Sequence, residues 1–252
     1  MTLHNAEEYN NPILYDKENE NHLADVPFLL KWAAQQQGII IDLACGTGRA
    51  TIPLAQYGHQ LIGVDIHNAM LEEAKKKAIK ANLAVEWIEQ DCSKLQLGLK
   101  SQLIYTVGNS FQHFLTNEAQ DNLLTAVNRH LELGGIFIFD TRFPSAEELL
   151  QPPTEEYWRS YIDHDTQNKV DVYTISHYDT LNQLQHYTTI RRSHDSADEQ
   201  RTHITLRYVY PKEMERLLKA NGFIIQHVYQ DWSETPITND AYSMIYVCKK
   251  IG

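Results

Sequence analysis

Two carboxylates at the ends of two short apolar runs carry the first chemical signal. Asp42 closes Ile39-Ile40-Ile41 and Asp65 closes Leu61-Ile62-Gly63-Val64, an interval of 65 − 42 = 23 residues. Between them lies Ala44-Cys45-Gly46-Thr47-Gly48-Arg49, whose two glycines permit positive φ and let the backbone approach a ligand closely. A loop of this kind feeding a helix aims free N–H groups and the positive end of the helix dipole at an anionic or acceptor-rich group. An acid about 20 residues beyond such a turn is placed to meet ribose hydroxyls. The pair therefore predicts a nucleoside site. A dinucleotide fingerprint asks for Gly or Ala three residues after Gly48, where Thr51 stands, so NAD is disfavoured.

With Asp42-Leu43-Ala44-Cys45-Gly46-Thr47-Gly48-Arg49 followed by Gly63-Val64-Asp65-Ile66, the chain resembles the class I S-adenosylmethionine-dependent methyltransferases. It departs at Ala44, where that family often has Gly. The resemblance implies S-adenosylmethionine as cofactor and S-adenosylhomocysteine as product. It implies that Asp65 holds the ribose, that Asp42, Ala44, Cys45, Gly46 and Gly48 face the methionine end, and that Ile66, Met70, Asp91 and Cys92 surround adenine. Val107 and Asn109 follow the fourth strand and join this cofactor set. Tyr15, in the polar opening segment, is expected to close over the methionine end.

Methyl transfer from a sulfonium is an in-line displacement, so the protein has to align the partners, exclude water and see the nucleophile deprotonated. His113, in Gly108-Asn109-Ser110-Phe111-Gln112-His113-Phe114, is the expected general base because an unperturbed imidazole titrates near neutral pH. Arg142, after Asp140-Thr141, would place a carboxylate or phosphate on the substrate. Tyr157, Arg192 and Tyr208 are the further substrate candidates. Side chains alternate across a strand, so at most one of Arg191 and Arg192 serves the substrate. No metal is required on this reading, since His164 and the other histidines lack ligand spacing. Asp140 with Asp163 or Asp165 is the single combination that could assemble a site.

These groups need elements to hold them. Asp25 can cap a helix carrying Val26 to Ala33, and Asn68 can cap another with Leu71, Ala74 and Ala78 on one face and Lys75-Lys76-Lys77 on a solvated one. Strands are expected at Val85–Glu89, Ser101–Val107 and Ile136–Asp140, with a helix between the last two opened by an Asn117/Gln120 capping box and closed by Gly134-Gly135. From 142 to 209 the pattern turns to period two, with strands at 157–163, 170–178, 185–192 and 202–210 and a turn at Asp195-Ser196-Ala197-Asp198. Pro211 starts the last helix and two apolar strands follow. The fold class is α/β: a Rossmann-like, doubly wound, seven-stranded sheet, mostly parallel with an antiparallel last strand, plus a small antiparallel β insert. The expected divisions are an N-terminal lid or loop over 1–24, a cofactor-binding core over 25–141 and 210–252, and the insert over 142–209 as substrate cover or dimer contact. An insert at that place resembles the small-molecule methyltransferases, such as amino-sugar and glycine N-methyltransferases.

Composition narrows the partners. The 252 residues carry a formal charge of −11, unfavourable for neutralising phosphates, and the Asn-Pro-Pro-aromatic run of base-methylating enzymes is absent after the fourth strand. A small-molecule acceptor is preferred and nucleic acid is not expected. No apolar run approaches a bilayer span and the first residues lack a signal-peptide layout, so a cytoplasmic protein, monomeric or homodimeric, is expected. Cys45, Cys92 and Cys248 show no CxxC spacing and read as buried thiols. The function that follows is methyl transfer to a nitrogen or oxygen of a small metabolite. The alternatives are a non-catalytic S-adenosylmethionine sensor and, further off, an RNA methyltransferase.

Overall fold

Among the described residues the β-branched and aromatic runs become eleven strands in two sheets. They are β1 (Ile39–Leu43), β2 (Gln60–Asp65), β3 (Glu86–Glu89), β4 (Ser101–Thr106), β5 (Leu131–Arg142), β6 (Glu156–Ile162), β7 (Lys169–Asp179), β8 (Leu184–Ser193), β9 (Glu199–Arg207), β10 (Phe223–Tyr229) and β11 (Ser243–Lys250). The computed structural model describes residues 5–19, 21–163, 166–194 and 199–252. The turn at 195–198, and His164 and Asp165, lie outside the described residues. The seven-stranded sheet has the order β10-β11-β5-β4-β1-β2-β3. The pairs of β1 with β2 and β4, β2 with β3, and β4 with β5 are parallel, whereas β11 runs antiparallel to both β5 and β10. Strands β6 to β9 form a separate antiparallel meander.

Among the described residues seven α-helices accompany them: α1 (Pro12–Asn19), α2 (Asp25–Ala33), α3 (Thr51–Gln56), α4 (Asn68–Lys80), α5 (Asn117–His130), α6 (Ala146–Leu149) and α7 (Pro211–Ala220). Alternation along the central strands feeds two cores, one on each face of the sheet. Ile41, Leu43, Phe137, Phe139 and Tyr246 point to one side with α5 and α7. Ile40, Leu61, Tyr105, Ile138 and Val247 point to the other with α2 and α3. Phe139 stacks on Phe111 at 4.8 Å, Phe137 at 5.0 Å and Tyr246 at 5.1 Å, pairs worth about 0.5–1.5 kcal/mol each beyond their burial.

Several local expectations change. Thr116, not Asn117, caps α5, its hydroxyl accepting the Ala119 N–H at 3.1 Å, while Gln120 turns inward to donate to the Phe114 carbonyl. That helix ends at His130, and Gly134-Gly135 lie inside β5. Asn68 does not cap α4 and Asp25 does not cap α2: Asp25 is drawn away by the Arg49 guanidinium. β9 stops at Arg207, so Tyr208 and Val209 are buried in the link to α7.

Gly63 in β2 lies beneath the Trp87 ring of β3, and a Cβ there would come within 2.5 Å of it and 3.0 Å of the Cys45 sulfur. Gly63→Ala is therefore expected to cost about 1–3 kcal/mol, read as a fall of several degrees in the thermal midpoint. An unchanged midpoint would show that Trp87 moves aside freely.

Candidate active site

Parallel strands end together, so β1, β2, β4 and β5 deliver their last residues to one edge of the sheet. The loop after β1 needs three left-handed residues, Ala44 (φ 54°), Gly46 (φ 55°) and Gly48 (φ 79°). At Ala44 that conformation costs on the order of 1–2 kcal/mol, which Gly would avoid. Asp65 fixes the loop: one carboxylate oxygen accepts the Gly46 N–H at 2.8 Å and the other the His67 N–H at 2.8 Å. Burial pushes the Asp65 carboxyl up, against those same backbone donors. Asp42 is buried too, accepts from the Thr51 hydroxyl at 2.5 Å, and has its pKa raised to about 7 by desolvation.

Of the residues expected around the cofactor, Tyr15, Asp42, Ala44, Cys45, Gly46, Asp65, Met70 and Val107 line one shared pocket at this edge. Gly48 instead packs against Trp87 and Ile52 beneath the loop. Asn109, in a left-handed conformation with its side-chain oxygen buried and without a hydrogen-bond partner among the described residues, lines a larger neighbouring cavity. Asp91 accepts the Ser93 N–H at 3.0 Å and hydroxyl at 2.8 Å as the cap of a short turn, and Cys92 lies in the core with its thiol pushed up to about 12 by burial. Ile66 is half-buried just past Asp65. The three thiols are all free and buried.

The larger cavity, about 670 Å³, lies between this edge and the inner face of the meander. Alternation holds there: Thr174 of β7, Tyr187, Thr189 and Arg191 of β8, and Ile204 and Leu206 of β9 all face it. Arg142 lines it, with its guanidinium 2.5 Å from Glu148 and over the ring of Tyr242. Arg192 is on the outer face, paired with Glu155 and Glu199, and Tyr157 is exposed on β6. Neither lines the cavity. Tyr208 lies behind the lining, its hydroxyl donating to Glu148 at 2.7 Å, and holds that carboxylate rather than facing the space.

Of the residues that join the two spaces, the sequence reading named Tyr15 and His113 and missed Tyr9, Arg49 and Gly108. Tyr9, Tyr15, Arg49, Gly108 and His113 line both. Tyr9 Oη and His113 Nε2 share a hydrogen bond of 2.9 Å, with the Tyr9 ring 5.8 Å from both Tyr15 and His67. Burial lowers the His113 pKa to about 3, so its imidazole is neutral near pH 7 and is a weak base. Its other nitrogen is buried and, among the described residues, has no hydrogen-bond partner. Glu8 and Glu18 were also missed: Arg191 lies 2.7 Å from each, and Arg159 lies 3.1 Å from Glu18. The one available signal was their acidic character in a segment otherwise read as lid; their partners lie some 140–180 residues away.

An α/β sheet of this order, with a glycine loop after β1 and an acid at the end of β2, is the fold of the class I S-adenosylmethionine-dependent methyltransferases, and the similarities to known proteins support a methyltransferase of that kind. Residues 40–135 match the family model described as a methyltransferase domain. The chain is 25% identical over 240 residues to YqeM of Bacillus subtilis (strain 168), covering 87% of this chain and 88% of that one, a protein named among methyltransferases. Its fold is similar to the CcbJ methyltransferase of Streptomyces caelestis, with a TM-score of 0.81 at 22% identity over 92% of this chain and 96% of that one. It is also similar to the S-adenosylmethionine-bound amino pentose methyltransferase CalS10 of Micromonospora echinaspora, with a TM-score of 0.74 at 16% identity over 94% and 95% of the two chains.

Arg191→Ala leaves Glu8 without its cation and Glu18 with one weaker partner. Breaking a buried pair in this way costs roughly 3–5 kcal/mol. The expected outcome is faster cleavage within residues 5–24 in limited proteolysis, ahead of any cleavage in the seven-stranded sheet. Equal rates in variant and parent would show that the ion pairs do not hold the segment.

Proposed function

We propose that the chain transfers the methyl group of S-adenosylmethionine to a nitrogen or oxygen of a small polar molecule held between the two sheets. The observation that carries this reading is the cavity of about 670 Å³ that meets the cofactor cluster at Tyr9, Tyr15, Arg49, Gly108 and His113. The likeness to an amino pentose methyltransferase supports it.

The donor set suits the cofactor. Asp65 is an acceptor-only carboxylate at the place for a ribose diol, and it holds the glycine loop beside that place through the Gly46 N–H. Met70 and Ile66 offer apolar surface for adenine, with Asp91 and Cys92 next along the edge. When bound, S-adenosylmethionine supplies a methyl carbon on a positively charged sulfur, and displacement returns the S–C electron pair to that sulfur. The chain's task is then to orient the acceptor, keep water out and take up a proton. Neutral His113 positions the Tyr9 hydroxyl at the junction of the two spaces. The cofactor cluster encloses only about 50 Å³ while Tyr9 and Tyr15 line it. The N-terminal segment therefore acts as a lid that lifts for loading, and the meander covers the substrate. No helix among the described residues is long and apolar enough to cross a membrane.

Calorimetric titration with S-adenosylmethionine, S-adenosylhomocysteine and NAD in parallel is the test. Binding of the two adenosyl ligands alone is expected, and Asp65→Ala is expected to weaken both by about 100-fold or more, the loss of charge-assisted bonds to two hydroxyls. NAD binding alone would overturn the reading, and unaltered affinity in the variant would remove Asp65 from the ribose site.

A further inference from the structure

The charges that face the large cavity are matched on one side and not on the other. Arg49 takes the Asp25 carboxylate through both terminal nitrogens. Arg142 is paired with Glu148, Arg159 with Glu18, and Arg191 with Glu8 and Glu18. Among the described residues no lysine lines the cavity. Every guanidinium on the wall is thus neutralised within the protein, and an anionic substrate would have to break one of these pairs to gain a counter-ion. A carboxylate or phosphate on the acceptor, expected from Arg142 in the sequence, is disfavoured by that pairing.

Asp140 is the unmatched group. It stands at the carboxyl end of β5, lines the cavity and is 6% exposed. One of its oxygens accepts the Asn109 N–H at 3.0 Å, its own backbone N–H is the other donor that reaches the carboxylate, and among the described residues no cation lies within ion-pair distance. Its register partner across β11 is Ile245, so no charge approaches from that neighbour. Asp25 of α2 and Arg49 of the loop after β1 are the charged groups near it, of opposite sign and bound to each other. A buried carboxylate open to a cavity whose other acids are satisfied is a receptor for a cation with N–H groups.

Resting on the methyltransferase reading above, we propose that Asp140 receives the acceptor's nitrogen, and that the acceptor is an uncharged-bodied primary or secondary amine rather than an alcohol or an acid. The amine arrives as its ammonium ion and passes one proton to the Asp140 carboxylate, which frees the nitrogen lone pair. The new N–C bond makes an alkylammonium ion, so the charge lost from sulfur reappears on nitrogen. The proton held by Asp140 leaves to water with the product. Burial raises the Asp140 pKa to about 7, so this carboxyl can hold a proton near neutrality where an ordinary aspartate would only form an ion pair.

The experiment follows the Asp140 carboxyl carbon by NMR in the full chain saturated with S-adenosylhomocysteine, the resonance being assigned by its loss in Asp140→Asn. The probes are glucosamine and ethanolamine, with glucose and glucuronate as uncharged and anionic controls of the same ring size as the first. Either amine is expected to lower the Asp140 titration midpoint by about one pH unit or more, as an opposite charge in contact does, while glucose and glucuronate leave it in place. The amine that lowers the midpoint is expected to bind at least tenfold more weakly to Asp140→Asn by calorimetry. A midpoint unmoved by both amines, or moved as far by glucuronate, or an amine affinity indifferent to the substitution, overturns the assignment. Failure of the wild-type chain to bind S-adenosylhomocysteine would instead sink the methyltransferase reading beneath it, so the two failures are told apart by the calorimetric titration alone.

Discussion

The parallel pairing of β1 with β2 and β4, and of β4 with β5, is the constraint on which the site depends. Because these strands run one way, Asp42, Asp65 and Asp140 arrive at the same edge and share the same desolvated rim. Concentrating acids there opposes folding. For Asp42 and Asp140 the folded pKa, about 7, stands above the unfolded value near 3.9, so the fold binds their protons more tightly than the unfolded chain does. Their penalty is absent below the unfolded value, grows as pH rises from about 4, and is complete above about 7, at a few kcal/mol each. The two stacked cores on either face of the sheet supply the burial that outweighs it.

The same rim explains how an acidic chain uses its arginines. None of the four guanidinium groups on the cavity wall is held for a ligand; each is bound to a carboxylate from a different element. Glu148, from the short helix α6, accepts from Arg142, Tyr187 and Tyr208 at once, which ties β5, β8 and the link to α7 around one carboxylate. Such networks fix geometry more than they add stability, since desolvation consumes much of the Coulomb gain. They leave the wall rigid and nearly neutral, so the one unmatched carboxyl stands out.

Local signals in the sequence carried the strands, the loop after β1 and Asp65, because each depends on neighbours within a few residues. Runs of Ile and Val, glycines where φ is positive and an acid at a strand end are all written in contiguous sequence. The phase of the meander was not legible. Both faces of β8 carry polar residues, so nothing in Gln-His-Tyr-Thr-Thr-Ile-Arg-Arg says whether Arg191 or Arg192 points inward, and the choice of Arg192 fell on the wrong face of the cavity. Nor was His113 readable as a weak base, since its pKa is set by packing under Tyr9 from 104 positions away. Asp25 as a helix cap failed for the same reason: Arg49, 24 residues on, competes more strongly than the helix N–H groups.

The N-terminal helix shows how the two spaces are coupled. Asp16 accepts from Thr47 of the glycine loop and pairs with Lys77 of α4, while Glu18, two residues along, pairs with Arg159 of β6 and Arg191 of β8. Opposite faces of one short helix thus hold the glycine loop and the meander. Lys77 gives up the solvated role expected of it to make this link. A helix of eight residues has little intrinsic stability, so its position is dictated by these tertiary bonds and not by its own backbone. Loosening either end weakens the other, because the segment must be ordered as a unit before any of its ion pairs can form. Order of the segment against the glycine loop and order against the meander are therefore one event.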